Sequence, residues 1–331
     1  MFHEQAAAKF EGPVESSAAM TGSEVAAVAI RCRGLHKRFG TTIAVHSLDL
    51  EVRRGECFGL LGPNGAGKTT TIEILEGLQD ADGGVVEVLG LSWSHDAVAL
   101  RPRLGIQLQE TELSERQTVE EMVRLFRSFY PTGPTVDALI ARVQLGEKRD
   151  TQVRNLSGGQ RQRLSLVCAL AGDPDILFLD EPTTGLDPQS RRQLWTLCEE
   201  FRAAGGTILL TTHFMDEAEV LSDRIAIMDH GELLVQGTPR ELIASLGGDH
   251  VVEFESNVTL PDEVLTELAG VTRVVELDGA HRVTTREPHR TIPAILQLIQ
   301  GRGGELTALN THNVTLDDVF LARTGRQLRD Q

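Results

Sequence analysis

The sequence predicts an α/β fold followed by a smaller α+β unit, on three observations. From about Val25 to Pro239, apolar strand-like runs alternate with helical periods. The octapeptide Gly62-Pro63-Asn64-Gly65-Ala66-Gly67-Lys68-Thr69 lies between such a run and the start of a helix, and it fits G-x-x-x-x-G-K-[ST]. Beyond Pro239 the element order becomes β-α-β-β-α-β, the ferredoxin-like arrangement.

Residues 1 to about 24 are rich in Ala, Ser and Glu without a sustained apolar period, so they read as a disordered tail, with Met20 as an alternative start. The rest divides into a larger unit over 25–240 and a smaller one over 241–331. The runs at 25–30 and 43–52 alternate loosely and end at turn signals, as paired strands of an antiparallel sheet do. Residues 57–61 form a short, wholly apolar run, which suits a buried strand. Helical periods follow at 118–130, stopped by Pro131, and at 136–143. Residues 161–171 read as a helix that Gly172-Asp173-Pro174 breaks before the strand 176–179. Helix 191–204 and strand 207–211 complete the larger unit. The smaller unit reads as strand 250–255, helix 261–269, strands 271–277 and 282–285, helix 292–299 and strand 305–309. An amphipathic helix, 316–322, closes the chain.

Composition narrows the partners. Against 32 Lys plus Arg stand 48 Asp plus Glu, a formal charge of −16. Such a surface repels phosphate backbones and anionic lipid. With aromatics at 4%, stacking platforms for single strands are scarce. Nucleic acid and bare membrane are therefore excluded as primary partners. Cys32, Cys57, Cys168 and Cys198 are widely spaced, which suits free or buried thiols in a reducing compartment. No stretch approaches the roughly 18 apolar residues that span a bilayer, and the N-terminus lacks a signal-peptide pattern. A cytoplasmic protein is expected.

Three segments carry chemistry. The glycines of 62–69 allow positive φ, so that backbone N–H groups converge on a phosphate. Lys68 supplies a point charge, the Thr69 hydroxyl a Mg²⁺ ligand, and the helix N-terminus a favourable dipole. Asp180-Glu181 ends the apolar run at the carboxyl edge of a strand, where α/β sheets place ligand chemistry. There Asp180 would hold Mg²⁺ through water and Glu181 would orient or deprotonate a hydrolytic water; alone, such a pair is more often a cap. Leu156-Ser157-Gly158-Gly159-Gln160 opens a helix with Ser157 as its N-cap. Beyond a well-made cap, it offers a second anion site in a chain that already has a phosphate cradle. That makes sense if it serves a nucleotide held by another subunit.

In combination these segments resemble the ATP-binding subunits of ABC transporters, over about Val25 to Pro239. The resemblance implies that 156–160 is the family's signature motif. It places Phe39 against adenine and makes Gln109 the glutamine that joins the core to a helical subdomain at about 110–165, with Gln107 the weaker alternative. Gly185-Leu186-Asp187 resembles the D-loop, with Gly where many relatives carry a small residue such as Ala, and His213 resembles the histidine that touches the γ-phosphate. The implied site binds ATP through Phe39, Gly62, Asn64, Gly65, Gly67, Lys68, Thr69, Thr70, Ser157, Gly158, Gly159, Gln160 and Asp187. Thr69, Gln109 and Asp180 would hold Mg²⁺, and Glu181, His213 and Gln109 would act in hydrolysis. It further implies a head-to-tail homodimer around two ATP molecules and a separate transmembrane permease. That permease would hold the chain on the inner face of the cell membrane.

Glu73 to Leu78, Thr183 to Pro188, Leu316 to Phe320 and Thr324-Gly325-Arg326 look like bacterial exporters of drugs, polyketides or sodium. From Glu241 onward the chain carries 8 basic and 14 acidic residues and reads as a dimerisation or stabilising module. Its His250, His281, His289 and His312 show no metal-ligand spacing. The alternative reading is a soluble ATPase of the same superfamily, acting on ribosomes, DNA or cluster assembly. Such relatives carry paired cassettes, coiled coils or zinc insertions, which this sequence lacks.

Overall fold

The computed structural model describes residues 28–108, 113–277 and 279–325. The expected tail, the Met20 start and Gln109 lie outside them. Strands β1 (Val28–Phe39) and β2 (Thr42–Arg53) pair antiparallel through a tight turn. β3 (Cys57–Leu61) is buried along its whole length. It leads through the glycine-rich loop into α1 (Lys68–Leu75), and β4 (Gly83–Val88) then pairs on the free edge of β1. Next come α2 (Trp93–Leu100), β5 (Leu104–Gln107), α3 (Val119–Ser128), α4 (Val136–Arg142) and α5 (Gly158–Ala169). The core continues with β6 (Ile176–Asp180), α6 (Pro188–Ala203), β7 (Thr207–Thr212), α7 (Met215–Leu221), β8 (Arg224–Asp229) and β9 (Glu232–Gly237).

The central sheet has the order β5-β6-β7-β3-β8-β9, parallel except for β9, which runs antiparallel to β8. The predicted α/β core is thus a mixed sheet beside an antiparallel sheet of order β2-β1-β4. Continuous apolar runs such as Ile176 to Leu179 arise because both faces of the parallel strands are covered. One face packs with α3, α5 and α6 through Val123, Leu166 and Leu194. The other packs with the antiparallel sheet through Leu35, Val52, Phe58 and Ile72.

After α8 (Pro239–Ala244) the chain forms β10 (His250–Ser256), α9 (Asp262–Thr266), β11 (Val271–Leu277), β12 (Ala280–Thr285), α10 (Pro288–Gly301), β13 (Leu306–Asn313) and α11 (Leu316–Thr324). Its sheet, β11-β12-β10-β13, is antiparallel throughout. That is the order expected of a ferredoxin-like β-α-β-β-α-β chain.

Three differences from the sequence reading have local causes. β1 extends to Phe39, well past its apolar run, because Arg31 and Lys37 bury their stems and pair with Glu51 and Asp82. α5 and α6 start three residues earlier than their periodicity indicates. Ser157 and Gln160 form a capping box on α5, while Asp187 caps α6 and Pro188 occupies its first turn. α11 is not a one-sided amphipathic helix, since Leu316, Asp318, Val319, Phe320 and Leu321 are all buried. It returns to the central sheet, where Phe320 shares a core with Leu61, Met215, Ile227 and Leu242.

That shared core makes Phe320 a structural keystone for both units. Phe320→Ala is expected to cost about 3–5 kcal/mol. Urea unfolding of the nucleotide-free chain would register it, and a loss below about 1 kcal/mol would show that α11 is only loosely attached.

Candidate functional site

The loop after β3 is shaped by close backbone approach. Gly67 has φ +99°, and a Cβ there would stand 2.2 Å from the Ala44 carbonyl oxygen. Only glycine fits. The Lys68 side chain is buried, and its ammonium donates to the carbonyl oxygens of Gly62 (2.8 Å) and Pro63 (3.1 Å). Asn64, Gly65 and Thr69 are exposed at the rim, and Thr70 is half-buried.

Opposite this loop, the pairing of β6 with β7 sets Asp180 beside Thr211. The Thr211 hydroxyl donates to Asp180 Oδ1, and the Thr69 hydroxyl lies near this carboxylate. Burial raises the Asp180 carboxyl above its ordinary range, against the lowering effect of those hydroxyls. Glu181 turns out of the strand at φ +47°, an uncommon conformation for a side-chain-bearing residue. Its N–H donates to Thr211 (O at 3.2 Å, Oγ1 at 3.1 Å) and its Oε2 accepts from Thr184 Oγ1 at 3.3 Å.

Charge converges on Glu181. Its Oε1 lies 3.7 Å from Lys68 Nζ, and its Oε2 lies 3.2 Å from His213 Nδ1. The histidine follows the last residue of β7, its ring tilted against Phe214 at 4.2 Å. Lys68 is depressed by burial, an effect that Glu181 and Asp180 oppose. The fold therefore gathers Lys68, Thr69, Asp180, Glu181 and His213 into one cluster. Spacing along the chain did not reveal Thr211 and Thr184, which orient the two carboxylates. A hydroxyl residue at the end of the neighbouring strand was the available signal.

The signature segment is built separately. Ser157 Oγ accepts from Gln160 N, and Gln160 Oε1 accepts from Ser157 N. Gly158 is exposed. Gly159 is pressed on Ser190, whose Oγ would meet an added Cβ at 2.2 Å. Ser190 in turn donates to Asp187, the cap of α6, at 2.6 Å. These contacts tie 157–160 to Asp187 through α6, not to the Lys68 cluster. Phe39 ends β1 with its ring half exposed and Lys37 Nζ 5.3 Å above it. Gln107, the weaker glutamine candidate, is buried at the end of β5, and among the described residues its amide has no hydrogen-bond partner.

Residues 45–184 match the family described as ABC transporter. Residues 237–324 match that described as ATP-binding protein DrrA1-3-like, C-terminal domain. The chain is similar to Nod factor export ATP-binding protein I of Cupriavidus pinatubonensis, at 39% identity over 91% of this chain and 92% of the relative. The protein of that name from Cupriavidus metallidurans is 41% identical over 91% and 99%. Among solved structures, an ATP-binding subunit of an ABC transporter superposes with TM-score 0.61 at 27% identity, covering 66% and 93%. The cbiO1 protein of Clostridium perfringens, part of the ABC transporter complex cbiONQ, gives 0.60 at 26%, covering 66% and 91%.

One buried carboxyl beside the cluster yields a pH prediction. Burial pushes Glu76 up to about 8, with Asp180 and Glu73 adding to the rise. Neither of its oxygens has a hydrogen-bond partner among the described residues. Between its ordinary 4.5 and about 8, the folded chain keeps a proton that the unfolded chain has released. Its stabilising contribution is therefore complete below 4.5 and lost as pH rises through about 8. The slope from this one group is at most about 1.4 kcal/mol per pH unit. Glu76→Gln should remove that slope in urea unfolding of the nucleotide-free protein from pH 5 to 9. Parallel curves for variant and parent would contradict the burial argument.

Proposed function

The chain belongs to the ATP-binding subunits of ABC transporters, and from that premise we propose that two copies close head-to-tail around two Mg-ATP to drive a membrane permease. It is an exporter-type ATPase subunit, and the names of its curated relatives disfavour the soluble alternative. The observation that carries the finer reading is the convergence of Lys68, Asp180, Glu181 and His213 at the phosphate loop, with the signature helix facing elsewhere.

In this reading the triphosphate lies on the N–H groups of the loop and the N-terminus of α1. Lys68 would exchange the carbonyl oxygens of Gly62 and Pro63 for the β- and γ-phosphates. Phe39, exposed at the end of β1, offers its face to adenine. Thr69 and Asp180 present the hard oxygen donors that suit Mg²⁺; the ion would neutralise charge on the transferring phosphoryl group. Gln109 would complete the set. Glu181 accepts a proton from the attacking water as the bond to the γ-phosphorus forms and ADP departs. His213 holds the Glu181 carboxylate and the γ-phosphate in register.

Ser157, Gly158 and Gly159 at the start of α5 would clamp the γ-phosphate of the partner's nucleotide. The run from Gly159 through Ser190 to Asp187 supports a mechanical link between that clamp and the D-loop. Bound ATP bridges the halves, and hydrolysis removes the bridge, giving the two states a transport cycle needs. Residues 25–240 form the ATPase unit and 241–331 an accessory unit that stabilises the pair. Among the described residues no helix is long and apolar enough to cross a membrane. In this reading the inner face of the membrane is reached through the permease.

Glu181→Gln keeps the shape of the site but removes the base, so turnover should fall at least about 100-fold. ATP should then hold a dimer visible by size exclusion; a monomer with ATP, or normal turnover, would oppose the scheme. Lys68→Ala should weaken ATP binding more than about tenfold, a difference above about 1.4 kcal/mol. Unchanged affinity in a fluorescent-nucleotide titration would contradict the role given to the loop.

A further inference from the structure

We propose that Asp262, Glu276 and His281 form a divalent-metal site of the Zn²⁺ type on the C-terminal sheet, distinct from the nucleotide centre. In the pairing of β11 with β12, Glu276 stands directly opposite His281, so both side chains point to the same face. Asp262 opens α9, which packs over β11. The donor atoms of the three residues all lie within 4.8 Å of one another. Chain spacing hides this group, because the hairpin and the α9 turn bring its members together.

The histidine supplies the second, independent observation. The residue is only 5% exposed, and its ring lies against Phe254 with centroids 5.3 Å apart. Its Nδ1 is buried without a hydrogen-bond partner among the described residues. The nearest acceptor, Asp262 Oδ1, is 3.6 Å away, close enough for an ion pair but too long for a hydrogen bond. Leaving such a nitrogen unsatisfied is costly, and a ligand that takes its lone pair removes that cost. Nδ1 is thus aimed at two carboxylates without being bonded to either.

The distances suit an ion. Two donors each about 2.1 Å from a tetrahedral Zn²⁺ stand about 3.4 Å apart. The Nδ1 to Oδ1 separation of 3.6 Å nearly meets this already. Asp262 and Glu276 are exposed, so small rotations of their carboxylates would bring them in, and water would take the fourth position. One imidazole with two carboxylates favours Zn²⁺ over Mg²⁺, which prefers oxygen donors throughout. The cysteines do not compete: Cys32, Cys57, Cys168 and Cys198 are buried free thiols, and burial raises each above its ordinary range. A bound ion would clasp α9 to the β11–β12 hairpin.

The test uses the full chain, stripped with EDTA and free of nucleotide, titrated with ZnCl₂ by calorimetry and followed in parallel by thermal melting. The parent should bind one equivalent more than Asp262→Asn/Glu276→Gln, and Zn²⁺ should raise its melting midpoint but not the variant's. Because both substituted residues are exposed, the double variant should fold; retained ATP hydrolysis checks this. His281→Gln should lose the same equivalent. Equal stoichiometry and affinity in parent and double variant would overturn the proposal. So would a parent whose stability responds to pH through the histidine range while Zn²⁺ changes nothing.

Discussion

The parallel pairing of β6 with β7 is the contact on which the proposed nucleotide site rests. It sets Thr211 against Asp180 and gives the Glu181 N–H two acceptors from the same residue. Without that register the two carboxylates would be free to turn toward solvent. With it, one oxygen of Asp180 is committed to Thr211, and Glu181 is held in a backbone conformation few residues adopt. The sheet thus spends the hydrogen-bonding capacity of a threonine on aiming two acids.

Electrostatics then explains how so many charges share a buried place. Lys68, Asp180 and Glu181 are each nearly inaccessible, and isolated charges there would carry a large desolvation penalty. The lysine is offset by two carbonyl oxygens and by Glu181; Asp180 is offset by the Thr211 hydroxyl; Glu181 lies between Lys68 and His213. These pairings are made by flexible side-chain ends, so a triphosphate can displace them without rebuilding the backbone. The cluster is complete yet exchangeable, as a site for a tightly bound but consumed substrate requires.

The C-terminal unit is tied to this machinery through packing. Leu61 is the last residue before the phosphate loop, and it shares its core with Val314, Val319 and Phe320. A second core, built on Val252, Phe254, Leu265 and Ile295, belongs to the ferredoxin-like sheet alone. The unit therefore has its own interior and also a helix sunk into the ATPase core. That arrangement suits a stabilising role better than a loosely tethered one.

Local chemistry was legible in the sequence wherever it is written in consecutive residues. The phosphate loop, the acid pair after 176–179, the capping signature at Ser157 and the order of elements after Pro239 could all be read directly, because glycine freedom, apolar runs and helix caps act over a few residues. Strand ends masked by polar side chains, as in β1, could not be read, since Arg31 and Lys37 look solvent-seeking until Glu51 and Asp82 pair with them. Nor could Thr211, Thr184 or the group of Asp262, Glu276 and His281, whose roles depend on neighbours from other elements. The sequence by itself determined which residue types, a glycine-rich loop with its lysine and a strand-end acid pair, are available for phosphate and proton chemistry. The tertiary structure alone decided which carboxylates are aimed, which charges offset one another and which histidine is left unbonded, because strand register and burial set those distances.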